Sequence, residues 1–178
     1  TQNEGAWKRV SEVKGAKLSG NEVIFTTSHL SDYAVFTSAQ ESDYAASYTG
    51  GDGKIVYAED LNSALTNVQA GGTITLLKDV TLTDPTITLS KAVTIRNAAG
   101  ENHKIDVSMN VGNGNSIKTA FTLTSGGKLT LDGVTMNVKT ADDIETSNTA
   151  RNAAFSLTNG TELNMTNGAQ VNLDKLQT

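Results

Sequence analysis

One stretch, Gly71 to Ile95 (GGTITLLKDVTLTDPTITLSKAVTI), constrains the fold more than any other part of the chain. It holds four short apolar–polar alternations: Ile74/Leu76, Val80/Leu82, Ile87/Leu89 and Val93/Ile95. Successive side chains leave a strand on opposite faces, so a period of two marks a strand with one buried side. Strands separated by only three or four residues describe a chain that turns corners continually. Such a chain is expected to wind into a solenoid.

The pattern continues beyond Ile95 in threes. Indexed by their last apolar residue, first strands end at Leu76, Ile95, Leu131 and Met165. Second strands end at Leu82, Val107, Met136 and Val171, and third strands at Leu89, Leu123 and Leu157. The third strands are spaced by 34 residues in both steps, and Phe121–Leu131 aligns directly with Phe155–Met165. Self-similarity at a fixed period marks a repeat architecture, in which each unit buries its apolar edge on the next. The corners agree: Ser125-Gly126-Gly127 matches Asn159-Gly160-Thr161, and Asp132-Gly133 matches Asn167-Gly168, the residue types that accept positive φ. Extra length sits at 108–119 and 139–152, polar stretches expected as exposed loops. Outward positions are predicted as Thr75, Thr94, Thr130 and Asn164 on one face, and Thr88, Thr122 and Ser156 on another. Threonine suits a solvent-facing strand position.

Three strands per coil stacked in parallel predict an all-β fold: a right-handed parallel β-helix of about three and a half coils. The preceding segment has its own role. Leu61, Ala64, Leu65 and Val68 form one helical stripe, with Asp60 as N-cap and Gly71-Gly72 as the stop. A short amphipathic helix here is expected to cover the open end of the solenoid and its unpaired strand edge. Further upstream, Val23-Ile24-Phe25 and Tyr33-Ala34-Val35-Phe36 read as strands, too few to bury two sheet faces. The division expected is 1–38 as the end of a β-sandwich, 39–53 as a linker, and 54–178 as capping helix plus β-helix. Further domains of the same polypeptide are expected on both sides, with more coils downstream.

Composition narrows the function. The net charge of −5 argues against a nucleic-acid partner, which calls for a basic face. With no cysteine and two distant histidines, neither a disulfide framework nor a zinc site is expected, and no cofactor is implied. No apolar run approaches the length of a membrane span, so no membrane insertion is expected.

The short helix, then GGTITLLKDVTL, then repeated coils resembles the pectate-lyase-like β-helices of large bacterial surface proteins, from about Lys54 onward. That resemblance implies a secreted or cell-surface location. It also implies a role among lyases, glycosidases, adhesins and passive stalks, since the fold alone does not decide function. Separately, Phe25-Thr-Thr-Ser-His29-Leu30-Ser31 resembles the His-Leu-Ser cleavage motif of GAIN and ZU5 self-processing domains. By that resemblance His29 takes the Ser31 proton and the Ser31 oxygen attacks the Leu30 carbonyl. An ordinary strand–turn–strand accounts for the same residues with no chemistry at all.

Catalysis on the coils calls for clustered carboxylates. Outward positions are instead Thr, Ser and Asn, with Asp106 the one carboxylate placed among them. The densest acidic group, Asp142, Asp143 and Glu145, falls in a long loop, where a solvated charge run is expected. His103 reads as a loop residue and Trp7 as packing. The reading is therefore a non-enzymatic adhesive or structural segment, with glycans or host-surface components as partners. Its loop contacts are sought at Asn113, Asn115, Asp142, Asp143 and Glu145. The alternative is a polysaccharide lyase or glycoside hydrolase whose active site lies outside this segment.

Overall fold

The computed structural model describes residues 2–3, 6–7, 17–19, 22–24, 43–110, 117–140 and 151–174. The chain divides into two compact units, Thr1–Ala39 and Gln40–Thr178. In the first unit, β1 (Gln2–Asn3) pairs antiparallel with β2 (Ala6–Trp7), and β3 (Lys17–Ser19) with β4 (Glu22–Ile24). The strand expected at 23–25 thus lies one residue earlier, and the one expected at 33–36 falls outside the described residues.

The second unit is mostly strand. It opens with β5 (Ala46–Thr49), β6 (Ile55–Ala58) and helix α1 (Leu61–Asn67). Then come β7 (Gly72–Leu76), β8 (Val80–Thr83) and β9 (Ile87–Leu89), followed by β10 (Ala92–Asn97), β11 (Lys104–Met109) and β12 (Ile117–Leu123). A third triple follows as β13 (Lys128–Asp132), β14 (Thr135–Thr140) and β15 (Arg151–Leu157), and the described chain ends with β16 (Glu162–Thr166) and β17 (Gln170–Asp174). Each triple gives one strand to each of three sheets, always beside the strand given by the triple before. The orders are β7-β10-β13-β16, β8-β11-β14-β17 and β9-β12-β15, and every one of these pairings is parallel.

The three sheets share one apolar core. Ile74, Ile95 and Leu131 reach it from the first sheet, Ile105, Val107 and Val138 from the second, and Leu89, Phe121 and Leu123 from the third. All of these are buried, and the Phe121 ring stacks on Phe155 with centroids 5.6 Å apart. Each such side chain removed from water contributes about 1.5–3 kcal/mol. Tight corners link the sheets. Gly133 (φ 66°) turns the chain between β13 and β14, and Asn167 and Gly168 (φ 51° and 77°) do so between β16 and β17.

Helix α1 starts where its composition predicts. Asp60 accepts a hydrogen bond from the Ser63 amide at 2.7 Å and one from the Ser63 hydroxyl at 2.8 Å. Leu61, Ala64 and Leu65 are buried in the common core. At the other end, the Lys91 ammonium donates to the Thr66 and Val68 carbonyls, placing a cation where the helix dipole favours one.

The free edge of β7, however, is not the helix's to cover. It is paired antiparallel by β5, through Ala46↔Leu76, Ser47↔Thr75 and Tyr48↔Ile74, and β5 in turn carries β6. Residues 46–49 therefore form a sheet strand inside the stretch expected as a linker over 39–53. ASYT carries no apolar alternation of its own, and it is held as a strand by pairing with β6 on one side and β7 on the other.

The register departs from the apolar indexing in two sheets. Ile95 pairs with Ile74, and Leu76 stands beside Asn97. Asn97 occupies a position that alternation reserves for an apolar residue, and it is satisfied by corner backbone instead: Nδ2 donates to the Gly133 carbonyl at 3.1 Å and Oδ1 accepts from the His103 amide at 3.1 Å. Counting back from the last apolar residue therefore lands two positions early. As a result Thr73, not Thr75, shares a row with Thr94, Thr130 and Asn164. In the second sheet Val107 pairs with Leu82 and Val138, whereas Met136 and Val171 align with Ile105. The third-sheet register, Leu89–Leu123–Leu157 with Thr88–Thr122–Ser156 alongside, is as expected.

Candidate functional site

The outward face of the second sheet gathers a row of polar side chains. Because Ile105, Val107, Met136 and Val138 point into the core, their neighbours point out. Register then stacks them in two columns, Thr81–Asp106–Asn137–Asn172 and Thr83–Ser108–Lys139–Asp174. Strands lie about 4.8 Å apart, within reach of short amide and carboxylate side chains.

The first column is a hydrogen-bonded ladder. Asn137 Nδ2 donates to Asp106 Oδ1 at 2.7 Å, and Asn172 Nδ2 donates to Asn137 Oδ1 at 2.9 Å. The other Asp106 oxygen lies 3.3 Å from the Lys104 ammonium. The two columns line an open groove of about 500 Å³, within the range of ligand-sized clefts. Its lining carries Asp106, Asp174 and Lys139, the amides and hydroxyls of Asn137, Asn172, Thr81 and Ser108, and the apolar Val107, Val138 and Leu173.

Asp84, at the corner after β8, is a second polar junction. It holds φ 50°, an orientation aspartate tolerates better than most residues. Its carboxylate accepts from the Asn110 amide at 3.2 Å, from Asn110 Nδ2 at 3.3 Å and from the Lys118 ammonium. Asn110 follows β11 and Lys118 lies in β12, so one carboxylate joins the end of one strand to the start of the next. The Lys118 hydrogen bond, with smaller help from Asn110, holds the Asp84 carboxyl below the usual aspartate range against the opposing effect of burial. Asn152, in register with Lys118, is buried: its Nδ2 donates to Thr140 Oγ1 at 3.5 Å, and its Oδ1 has no partner among the described residues.

The corner before β11 gathers charge as well. His103 Nδ1 lies 3.7 Å from Asp79 and Nε2 3.7 Å from Glu101, on opposite sides of the ring. The imidazole therefore bridges two corners rather than joining the carboxylates into one chelating set. Among the described residues no three His, Asp or Glu side chains converge to hold a metal ion. On the first sheet, Asp132 accepts from Thr166 Oγ1 at 2.9 Å and from Asn167 Nδ2, which fixes the last layer's corner to the one before it.

Sequence reasoning placed Asp106 on an outward strand position, and it stands there. Its partners Asn137 and Asn172 were not singled out. Asn137 lies 31 residues beyond Asp106 and Asn172, which bonds Asn137, 35 beyond that, and the signal that finds them is the second-sheet register through Val107, Val138 and Leu173. The self-cleavage residues His29, Leu30 and Ser31 and the loop candidates Asn113, Asn115, Asp142, Asp143 and Glu145 all lie outside the described residues. Trp7 lies on β2.

Chemically, the face offers fixed dipoles and charges, with Asp106, Asn137 and Asn172 bonded from layer to layer. Such a surface can hold a polar ligand by hydrogen bonds. No helix among the described residues is long and apolar enough to cross a membrane. No family model, no curated protein and no solved structure matches this chain.

Proposed function

We propose that the second unit is a segment of a right-handed parallel β-helix, three strands to the coil. In this reading it serves a secreted bacterial surface protein as a non-enzymatic structural and adhesive module that extends and presents a polar face. Glycans or host-surface components are its partners. The observation that carries this reading is the repeated assignment of each strand triple to the same three parallel sheets around one core. A solenoid is the simplest path connecting strands in that order, and crossovers between parallel strands are right-handed in about 98% of cases.

Support for presentation rather than turnover comes from how the carboxylates are used. Asp84, Asp106, Asp132 and Glu162 each bind a side chain from another layer, which is what a stacked scaffold requires. The test measures both retention and cleavage of polysaccharides by the intact chain. Retention without new reducing or unsaturated ends is the expected result. Depolymerisation that disappears in Asp106→Asn would replace this reading with the enzymatic one.

A further inference from the structure

We propose that the groove over the second sheet is a subsite for a neutral, hydroxyl-rich saccharide, and that its ladder discriminates against uronates. This rests on the glycan-binding half of the function proposed above and names the ligand chemistry.

The argument starts from the direction of the ladder. An ionised carboxylate only accepts hydrogen bonds, so Asp106 fixes the amide above which it sits: Asn137 must turn its N–H groups toward Asp106 and its oxygen toward Asn172. Asn172 repeats that orientation one strand further on. Hydrogen bonds in a chain polarise one another, so one charge at the head orients the column. An amide nitrogen carries two N–H groups, and each ladder bond uses one. The column therefore offers the groove further N–H groups and carbonyl lone pairs at strand spacing, about 4.8 Å.

A hydroxyl both donates and accepts, so a polyol can satisfy donors and acceptors alternating along such a row. A carboxylate can only accept, and here it would meet two fixed negative charges, Asp106 and Asp174, at the groove walls. The nearby cations do not offset this freely. Among the described residues Lys139 is the one cation of the lining and stands in register beside Asp174, while Lys104, outside the lining, lies against Asp106, so the lining itself holds two carboxylates to one ammonium. Rejecting a competitor through like charges and unmatched acceptors is a usual source of specificity.

The test uses the isotope-labelled chain and follows the side-chain amide signals of its asparagines by NMR, at low ionic strength. Cellohexaose is the neutral probe and hexagalacturonate the charged one. The Asn137 and Asn172 amide signals are expected to move with cellohexaose, and the uronate to bind about tenfold more weakly or worse. Asp106→Asn removes the orienting charge and should bring the two probes within roughly threefold of each other. Asn172→Ala, at the exposed edge strand where the core is undisturbed, should weaken cellohexaose about tenfold. Equal or tighter uronate binding by the unsubstituted chain overturns the proposal. Saccharide binding that survives Asn172→Ala and moves other amides rejects this site but leaves glycan binding standing. If neither probe nor any polysaccharide is retained, the glycan-binding reading falls with it.

Discussion

The two ends of the stack have the same sequence pattern and opposite fates. At the first layer, β7 is covered by β5 and the core beneath it is closed by α1, so Ile74 and Leu76 are fully buried. At the last described layer, β15, β16 and β17 carry the same alternation in the same register. Yet Leu157, Met165 and Leu173 remain 48%, 54% and 60% exposed, while their register partners Leu123, Leu131 and Val138 are at most 1% exposed. Alternation therefore selects which way a side chain points, and the neighbouring layer decides whether it is buried. An uncovered β edge is a pairing surface, and the capped end has that surface filled.

Paired truncations test this contrast most severely. Leu131→Ala, in the middle of the first sheet, should cost about 2–5 kcal/mol, whereas Met165→Ala beside it should cost below about 1 kcal/mol. Chemical denaturation of both variants measures the difference. Equal losses would mean that the last layer is covered in solution by something that buries it.

The corner at Gly127 shows how closely inner layers approach. A Cβ there would stand 2.1 Å from the Leu89 carbonyl oxygen, on backbone that cannot move aside. Gly127→Ala should therefore cost about 1–3 kcal/mol by overpacking. Gly160→Ala, which meets no atom within 4 Å but sits at φ 78°, should cost less, about 1 kcal/mol from backbone strain alone. Thermal melts that rank the two the other way would show that the corners, unlike the strands, are not set by layer spacing.

Acid should loosen the capped side first. Asp84 and Asp60 both have carboxyls held below their usual range, Asp84 chiefly by Lys118 and Asp60 chiefly by the Ser63 amide. A lowered folded pKa gives stability that is present above the unfolded value of about 3.9 and lost as pH falls through the folded one. Asp84→Asn should therefore flatten the decline in melting temperature below about pH 4 and cost about 1 kcal/mol at neutral pH. Asp60→Ala should cost about 1 kcal/mol through the lost N-cap. Glu162, at the exposed end, is also held below the usual range, by Lys128 and then Asn164, but solvent screens it. Glu162→Gln should leave the acid limb of the melting curve unchanged, and a shift as large as that of Asp84→Asn would erase the distinction between the two ends.

Hydrogen exchange sharpens the same comparison at its smallest scale. Amides of β13, paired on both sides, should be protected well beyond those of β16, paired on one.

Much of this was determined by the chain as written. Side-chain parity follows from backbone geometry, so Ile74, Leu89, Phe121 and Leu131 declare their inward faces without any neighbour. The Asp60 cap and the stripe from Leu61 to Val68 are local too, because each contact spans no more than about two helical turns. The tertiary structure decided what spans layers. A slip of two residues preserves parity, so only the corner that accommodates Asn97 fixes Ile95 against Ile74. The second-sheet register, Val107 against Val138 and Val138 against Leu173, brings Asp106, Asn137 and Asn172 into one ladder, and nothing in local spacing does. The same holds for β5: a run as short as Ala46–Thr49 has no pattern of its own, and it becomes a strand because β6 and β7 present edges with hydrogen bonds to fill.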